Sequence, residues 1–400
     1  MNLFTIAERL SAIDRSAVTL DAAHCLHARG RLSACEVCFD VCPTEAIQPG
    51  KPPTLNAEKC RTCLACLPVC PVGAYSADDA VPSLLNCAAR LEGRLLELLC
   101  ELHPSADEGI SADSVGIRLR GCLAGLGSGA YLALVAMGIQ RIIARTDVCE
   151  DCPWSSLEPR IQAQIAHSNQ LLSAWGKDSV LSCITVLSEG QKRPLWEAEN
   201  PPLSRRDLFQ MVAKQGQVAI ARAMTAEQIT GERRPGRDRL RIIGAMSHLP
   251  ECQGETGLLL DTGDYAILSV SEECSACAVC VRVCPTSALQ MQQSNKEMHY
   301  RLQFNPRLCI GCELCVHVCL PKAMDVNHTP TYSQVFGVSD SVVLSEGKLI
   351  QCQNCNVLFA TKSDGKYCTT CEYRRKNPFG SVIPPGVKTS LTHPGSEHDS

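Results

Sequence analysis

Two cysteine runs with the spacing CxxCxxCxxxC limit what this chain of 400 residues can fold into. A cubane [4Fe-4S] cluster needs four thiolates; in such runs three close cysteines bind one cluster, and the fourth, commonly followed by proline, binds another. Each run therefore needs a companion group of cysteines. The two runs are Cys60, Cys63, Cys66, Cys70 and Cys309, Cys312, Cys315, Cys319.

Both companion groups lie upstream of their runs. The C-terminal companion is complete, whereas the N-terminal companion has Leu32 where its first cysteine belongs. Cys25 lies upstream in the same segment, and a loop holding Gly30 would bring it to that position. The companions are Cys274, Cys277, Cys280, Cys284 before Pro285, and Cys35, Cys38, Cys42 before Pro43.

The ligand rule then predicts four sets of thiols, called quartets 1 to 4. For quartet 1, a three-iron cluster or ligation by His24 or His27 remains an alternative. In quartet 3, Leu320 separates Cys319 from Pro321, which we interpret as a shifted proline and not a lost ligand. The quartets are Cys25, Cys35, Cys38, Cys70 (1); Cys42, Cys60, Cys63, Cys66 (2); Cys274, Cys277, Cys280, Cys319 (3); and Cys284, Cys309, Cys312, Cys315 (4).

Both halves resemble bacterial two-cluster ferredoxins. The resemblance rests on CPTEAI and CPVGAY, which begin at Cys42 and Cys70, and on CPTSAL, which begins at Cys284. It implies a small pseudo-twofold fold of two short hairpins and two short helices, with the clusters forming much of the core.

Composition argues against a disulfide scaffold. The 27 cysteines in 400 residues fall below the level that marks short secreted scaffolds. The first residues, MNLFTIAERLSAIDRS, are interrupted by charges and contain no signal-peptide core. No window reaches the ~18 apolar residues of a membrane helix. We therefore expect a cytoplasmic protein without direct membrane insertion, and a net charge of -4 gives no support to nucleic-acid binding.

The fold class predicted is α+β and α/β multidomain. Two ferredoxin-like dicluster modules flank a small parallel-sheet α/β domain, and a zinc-ribbon hairpin follows. The predicted segments are the first module (1–78), the α/β domain (79–190), a linker and helix (191–241), the second module (242–335), the zinc ribbon (336–376) and a disordered tail (377–400).

Strands and helices alternate in the central segment, which predicts a parallel sheet. VGIRL, IQRIIART and VLSCITVL are the predicted strands. Ligands of open α/β sheets lie at the carboxyl ends of strands. Cysteines follow the first two strands, so the candidate ligands of a fifth centre are Cys87, Cys122, Cys149 and Cys152, while Cys100 and Cys183 are interpreted as core residues. Cys87 lies before the first predicted strand, so Cys100 is the alternative to it.

This segment resembles the delta subunit of methyl-viologen-reducing hydrogenases. The resemblance implies a [2Fe-2S] centre and electron transfer between a hydrogenase or dehydrogenase and a heterodisulfide-reductase-like partner. The pair in CEDC is closer than in that family, so the cluster type stays open.

Two other interpretations of the central segment remain. One is an ordinary core with buried reduced cysteines, because free cysteine is among the most buried residue types. The other is a dinucleotide site: Gly125, Gly127 and Ala130 fit GxGxxA, and Asp147 follows the next strand, where a ribose-binding acid belongs.

The last cysteines form two CxxC pairs, Cys352 with Cys355 and Cys368 with Cys371. This pattern predicts a four-thiolate zinc ribbon with each pair on a turn of a hairpin, and a rubredoxin-type iron is the alternative. Zinc has no redox chemistry, so its expected role is to fold the segment, with Phe359 and Tyr367 beside the metal.

No nucleophile with a base and no paired carboxylates stand out. The predicted cofactors are four [4Fe-4S] clusters, one zinc ion and, if the central thiols converge, one further iron-sulfur centre. We predict a non-catalytic electron-transfer subunit of an anaerobic oxidoreductase complex, whose redox partner subunits are of hydrogenase, formate-dehydrogenase or heterodisulfide-reductase type. The alternatives are a flavin- or nicotinamide-binding oxidoreductase that uses the central domain, and an iron-sulfur assembly or redox-sensing protein.

Overall fold

The computed structural model describes most of the chain between residues 18 and 377. Gly30, Leu32, much of the predicted linker and helix, and nearly all of the predicted tail lie outside the described residues. Within the described part, every helix is too short or too polar to cross a membrane. The described ranges are 18–29, 33–91, 95–177, 179–187, 189–202, 233–249, 257–260, 264–294, 296–337, 341–360 and 365–377.

The first module consists of short elements around its cysteine loops. Elements of two to four residues are unstable alone, and the small buried core around Leu67, Val72 and Tyr75 includes several of the cysteines. Strand β1 (Thr19–Leu20) pairs with β4 (Tyr75–Ser76), and β2 (Ile47–Gln48) pairs with β3 (Thr54–Leu55). The helices are Leu26–Arg29, Val37–Asp40 and Cys66–Val69.

A fully parallel sheet of five strands forms the central domain. The strands are β5 (Leu95–Leu99), β7 (Val115–Arg118), β8 (Arg141–Arg145), β9 (Leu181–Ile184) and β11 (Leu195–Glu197); β6 (Glu108–Gly109) and β10 (Gln191–Lys192) form a separate pair. The strand order is β11-β7-β5-β8-β9, so β5 lies in the middle. The helices are Ala80–Ala88, Ser128–Ala136 and Glu158–Ser173.

Two strands of this sheet differ from the sequence expectation. Strands β5 and β11 are not among the three strands that the sequence predicts. The residues of β5 form an apolar run, and β11 lies in the predicted linker. A strand buried on both faces shows no alternation of apolar and polar residues, so periodicity does not distinguish it from a buried helix. Leu98 and Leu99, whose side chains point to opposite faces, show this continuous burial, since both are 0% exposed.

The helix Arg237–His248 packs against the central helix Ser128–Ala136. Asp238 accepts hydrogen bonds from the backbone N–H groups of Ser128 and Gly129, at 3.2 and 2.8 Å. Residue 242, the predicted start of the second module, therefore lies inside a helix that belongs to the central domain.

The second module has antiparallel strands and one-turn helices. Strand β16 joins the β13–β14 hairpin of this module, although its residues were assigned to the zinc ribbon. Strand β12 (Ile267–Val270) pairs with β15 (Met324–Asn327), and the other sheet is β13 (Leu289–Ser294), β14 (His299–Phe304) and β16 (Val342–Lys348). The helices are Val279–Val283, Leu314–His317 and Tyr332–Phe336.

The C-terminal segment is a hairpin followed by a helix. Strand β17 (Ile350–Gln351) pairs with β18 (Leu358–Phe359), and the helix Thr369–Lys376 follows. The second cysteine pair therefore lies at the start of a helix, and not on a second hairpin turn as expected.

Gly127→Ala tests the close approach of the two packed helices. Both Gly127 (φ 79°) and Gly138 (φ 94°) are left-handed, but a Cβ at Gly127 would overlap the Asp238 carboxylate, whereas none of the described atoms lies within 4 Å of a Cβ at Gly138. We expect Gly127→Ala to cost about 1–3 kcal/mol more than Gly138→Ala. Thermal unfolding midpoints measure this difference, and equal losses would contradict the packing argument.

Candidate iron-sulfur and metal centres

The structure brings the predicted thiols of the first module together in two groups. Burial and the charges of Cys70, Cys38 and Cys25 raise the pKa of Cys35 to about 11. In the second group, burial and the charges of Cys42 and Cys60 raise the pKa of Cys63 to about 11. These are the members of quartets 1 and 2.

Each quartet of the second module lines one small cavity. The cavity of quartet 3 lies beside Val270 and Met291, and that of quartet 4 lies beside Leu268 and Phe304. Burial, followed by the charges of Cys284 and Cys312, raises the pKa of Cys309 to about 11. The four thiols of each set therefore point to a common centre, which is what an iron-sulfur cluster requires.

Left-handed backbone turns let the thiols of three loops converge. In each loop the residues on both sides of the middle cysteine have positive φ, a conformation that is uncommon outside glycine. The pairs are Thr62 and Leu64 (49° and 66°), Ala276 and Ala278 (54° and 57°), and Gly311 and Glu313 (64° and 56°).

Backbone N–H groups donate hydrogen bonds to cysteine sulfur atoms in both halves of the first module. The N–H of Ala46 donates to Cys42 Sγ and the N–H of Ala74 donates to Cys70 Sγ, each at 3.2 Å. Hydrogen bonds to the charged form favour a thiolate, so these equivalent contacts suit cysteines that bind a metal.

The two histidines considered for quartet 1 have other partners. His27 Nε2 donates to the Cys35 carbonyl at 2.7 Å, and His24 Nδ1 lies 2.8 Å from the Asp21 carboxylate. Cys25, by contrast, is one of the charges that raise the pKa of Cys70, after the larger effect of burial. The contact with Cys70 supports Cys25 as the fourth member, while His27 keeps a buried Nδ1 that has no hydrogen-bond partner among the described residues and remains the alternative ligand.

A cavity of about 260 Å³ lies at the carboxyl edge of the central sheet. The thiols of Cys122, Cys149 and Cys152 line it as expected, but the fourth is Cys100, which directly follows strand β5. Burial, then the charge of Cys100, raises the pKa of Cys149 to about 12. The geometry thus defines a central quartet of Cys100, Cys122, Cys149 and Cys152.

Cys87 does not belong to this set, contrary to the expectation from the sequence. It lies in the helix Ala80–Ala88, is 0% exposed and packs in the apolar core. Burial raises its pKa to about 12, and the only charge that acts on it appreciably is Arg90, not another thiol. Cys100, the replacement that the sequence offered, lines the cavity because strand β5 lies in the middle of the sheet.

A buried ion-pair network holds the turn that carries two of the central thiols. Arg145 donates to Asp147 at 2.7 Å and to Glu97 at 2.9 Å. Although burial acts to raise it, the pKa of Asp147 stays below its usual range because Arg145 and His103 bind the carboxylate. The turn that begins after Asp147 leads to Cys149 and Cys152, so the network positions both thiols.

The dinucleotide interpretation does not fit this geometry. The Asp238 carboxylate occupies the start of the helix Ser128–Ala136, where a phosphate would bind. A Cβ at Gly125 would lie 2.9 Å from Leu64 Cβ, so this glycine allows the first module to approach. Asp147 is paired with Arg145 and is not placed to bind a ribose.

The first module directly contacts the central quartet. The N–H of Cys122 donates to the carbonyl of Cys63, a member of quartet 2, at 3.2 Å. The second module contacts the first as well, because Leu314 from the quartet 4 loop is 3% exposed in the core that contains Leu67 and Cys70. The loops that carry these sites therefore pack against one another.

The four C-terminal cysteines form a compact metal-ligating group. The sulfur atoms of Cys352, Cys355, Cys368 and Cys371 all lie within 4.8 Å of one another. The N–H of Cys368 donates to Cys352 Sγ at 3.3 Å. Phe359 and Tyr367 pack beside this group, as expected, so the arrangement fits a tetrahedral metal ion.

Comparison with protein families identifies iron-sulfur domains in both halves of the chain. Residues 273–323 match the 4Fe-4S dicluster domain, and residues 53–76 match the 4Fe-4S binding domain. The first match contains all of quartets 3 and 4, and the second contains the loop Cys60–Cys70. No curated protein matches the chain. Ferredoxin-type domains indicate a role in electron transfer.

Iron binding by the metal-free protein should strengthen as pH rises from 7 to 9. Thiols with a pKa of about 11, such as Cys35, Cys63 and Cys309, are protonated in this range. Only the thiolate binds, so each such thiol releases a proton and affinity should rise roughly tenfold per pH unit per thiol. Anaerobic iron titration with proton release measured in parallel tests this; pH-independent binding would contradict it.

Proposed function

We propose that this chain is a non-catalytic iron-sulfur electron-transfer subunit of a cytoplasmic oxidoreductase complex. The observation that carries the proposal is that the loops bearing the thiol sets contact one another. Cys122 of the central quartet contacts Cys63 of the first module, and Leu314 of the second module packs in the core of the first. When bound, iron-sulfur clusters accept and release single electrons. The residues of this chain would hold such groups close together and exclude water from them.

The proposed cofactors are four [4Fe-4S] clusters in quartets 1 to 4, a further iron-sulfur centre in the central quartet and zinc in the C-terminal group. The central cavity fits a centre of this kind because four thiols line it and Trp154 partly covers it. Because the central quartet contacts quartet 2, we propose that a partner subunit exchanges electrons with the modules at the central quartet.

The proposed partners are redox subunits of hydrogenase, formate-dehydrogenase or heterodisulfide-reductase type. Ferredoxin-type domains in both halves support an electron-transfer role, and substrate turnover would occur in the partners. A flavin- or nicotinamide-dependent enzyme is disfavoured because Asp238 fills the phosphate position of the central helix.

Iron analysis of the anaerobically purified chain tests the four clusters. Quartets 1 to 4 require about 16 irons and 16 sulfides, in addition to those of the central centre. Dithionite followed by mild oxidation should reduce and reoxidise the clusters without iron loss. Saturation at eight irons would contradict the assignment of one module, and iron loss on each redox cycle would favour the assembly or sensing alternative.

Cys100→Ser tests the central centre. Cys100 lines the cavity whereas Cys87 does not, so Cys100→Ser should remove the spectrum and iron of one centre. Cys87→Ser is the matched control and should leave both unchanged. Electron paramagnetic resonance and iron content provide the readouts. An unaltered spectrum for Cys100→Ser, or loss of a centre in Cys87→Ser, would contradict the assignment.

A further inference from the structure

The C-terminal metal group lies directly against the loop that carries quartet 3. The N–H of Ala360 donates to the carbonyl of Ser275 at 3.1 Å. The next residue, Ala276, is 2% exposed and shares an apolar cluster with Leu358 and Leu349. Because Ser275 and Ala276 separate Cys274 from Cys277, the hairpin β17–β18 covers the backbone of a ligand loop.

Strand β16 leads directly from the second module into this hairpin. It pairs with β14 as far as Lys348, and β17 begins at Ile350. One continuous segment therefore links the second module to the hairpin that covers its ligand loop.

The hairpin depends on its metal for order. Its own cluster contains three buried residues, of which Cys352 and Cys371 are candidate ligands and Phe359 is the third. A segment with so small a core gains its folding free energy from metal binding. The positions of Leu358 and Ala360 over quartet 3 therefore depend on the metal.

Quartet 3 is the more exposed quartet of the second module, even with the hairpin in place. Cys277 is exposed, whereas Cys284 and Cys315 of quartet 4 are buried. Solvent exposure and hydrogen bonds to sulfur set the reduction potential of an iron-sulfur cluster. A redox-inactive hairpin can thus control the properties of a neighbouring cluster site.

We propose that the C-terminal metal group is a positioning element for quartet 3. The metal fixes the hairpin over Ser275 and Ala276 in the loop from Cys274 to Cys277. This inference rests on the proposed function, since it takes quartet 3 as the ligand set of a cluster.

The double variant Cys355→Ser/Cys368→Ser in the full chain tests the cover. It should lack zinc, keep its iron under anaerobic conditions and, in air, lose about four irons, the content of one [4Fe-4S] cluster, faster than the unaltered chain. Cys183→Ser, which removes a cysteine in β9 outside every quartet, should behave like the unaltered chain. An unchanged rate of iron loss, or equal loss from all clusters, would overturn the inference.

The iron content of the unaltered chain separates this inference from the proposed function. Fewer than four clusters in the unaltered chain would contradict the proposed function itself. A full complement of clusters with an unchanged rate of iron loss in the double variant would overturn only the role of the C-terminal metal group.

Discussion

Both ferredoxin-type modules are built around buried thiols that converge. Burial disfavours thiolates, and their mutual repulsion adds to this cost, as the raised pKa of Cys35 and Cys309 shows. Left-handed turns and backbone N–H donors such as that of Ala74 allow the convergence. The short strands and one-turn helices bury little, and their function is to hold these loops in place.

Spacing predicts the thiol groups well because the geometry is local. Three cysteines on one tight loop must share a centre, and the fourth follows from the ligand rule, so the structure gathers the same quartets in both modules. Spacing could not decide between Cys87 and Cys100 in this way. Strand β5 comes first in the chain but lies between β7 and β8, and strand order is a property of the whole sheet. Burial on both faces also removed the periodicity that identifies a strand.

The glycines of the central segment show how a local pattern can have a different cause. Gly127 belongs to the GxGxxA pattern of a phosphate-binding turn, yet it is small because Asp238 of the helix Arg237–His248 lies against it. Asp238 supplies the negative charge that the start of the helix favours. The residues that decide between these interpretations are more than 100 positions apart, at 129 and 238, beyond the range of any motif.

The same helix has a consequence for the order in which the chain folds. Arg241 pairs with Asp79 at 2.5 Å across a sequence separation of 162 residues, and both charges are almost fully buried. During synthesis the central sheet leaves the ribosome long before this partner does, so its exposed helix face and the unpaired Asp79 must wait for it. Such non-local contacts slow folding and leave apolar surface exposed in the meantime. The nascent chain is therefore most vulnerable to aggregation after the sheet has formed and before the helix has docked.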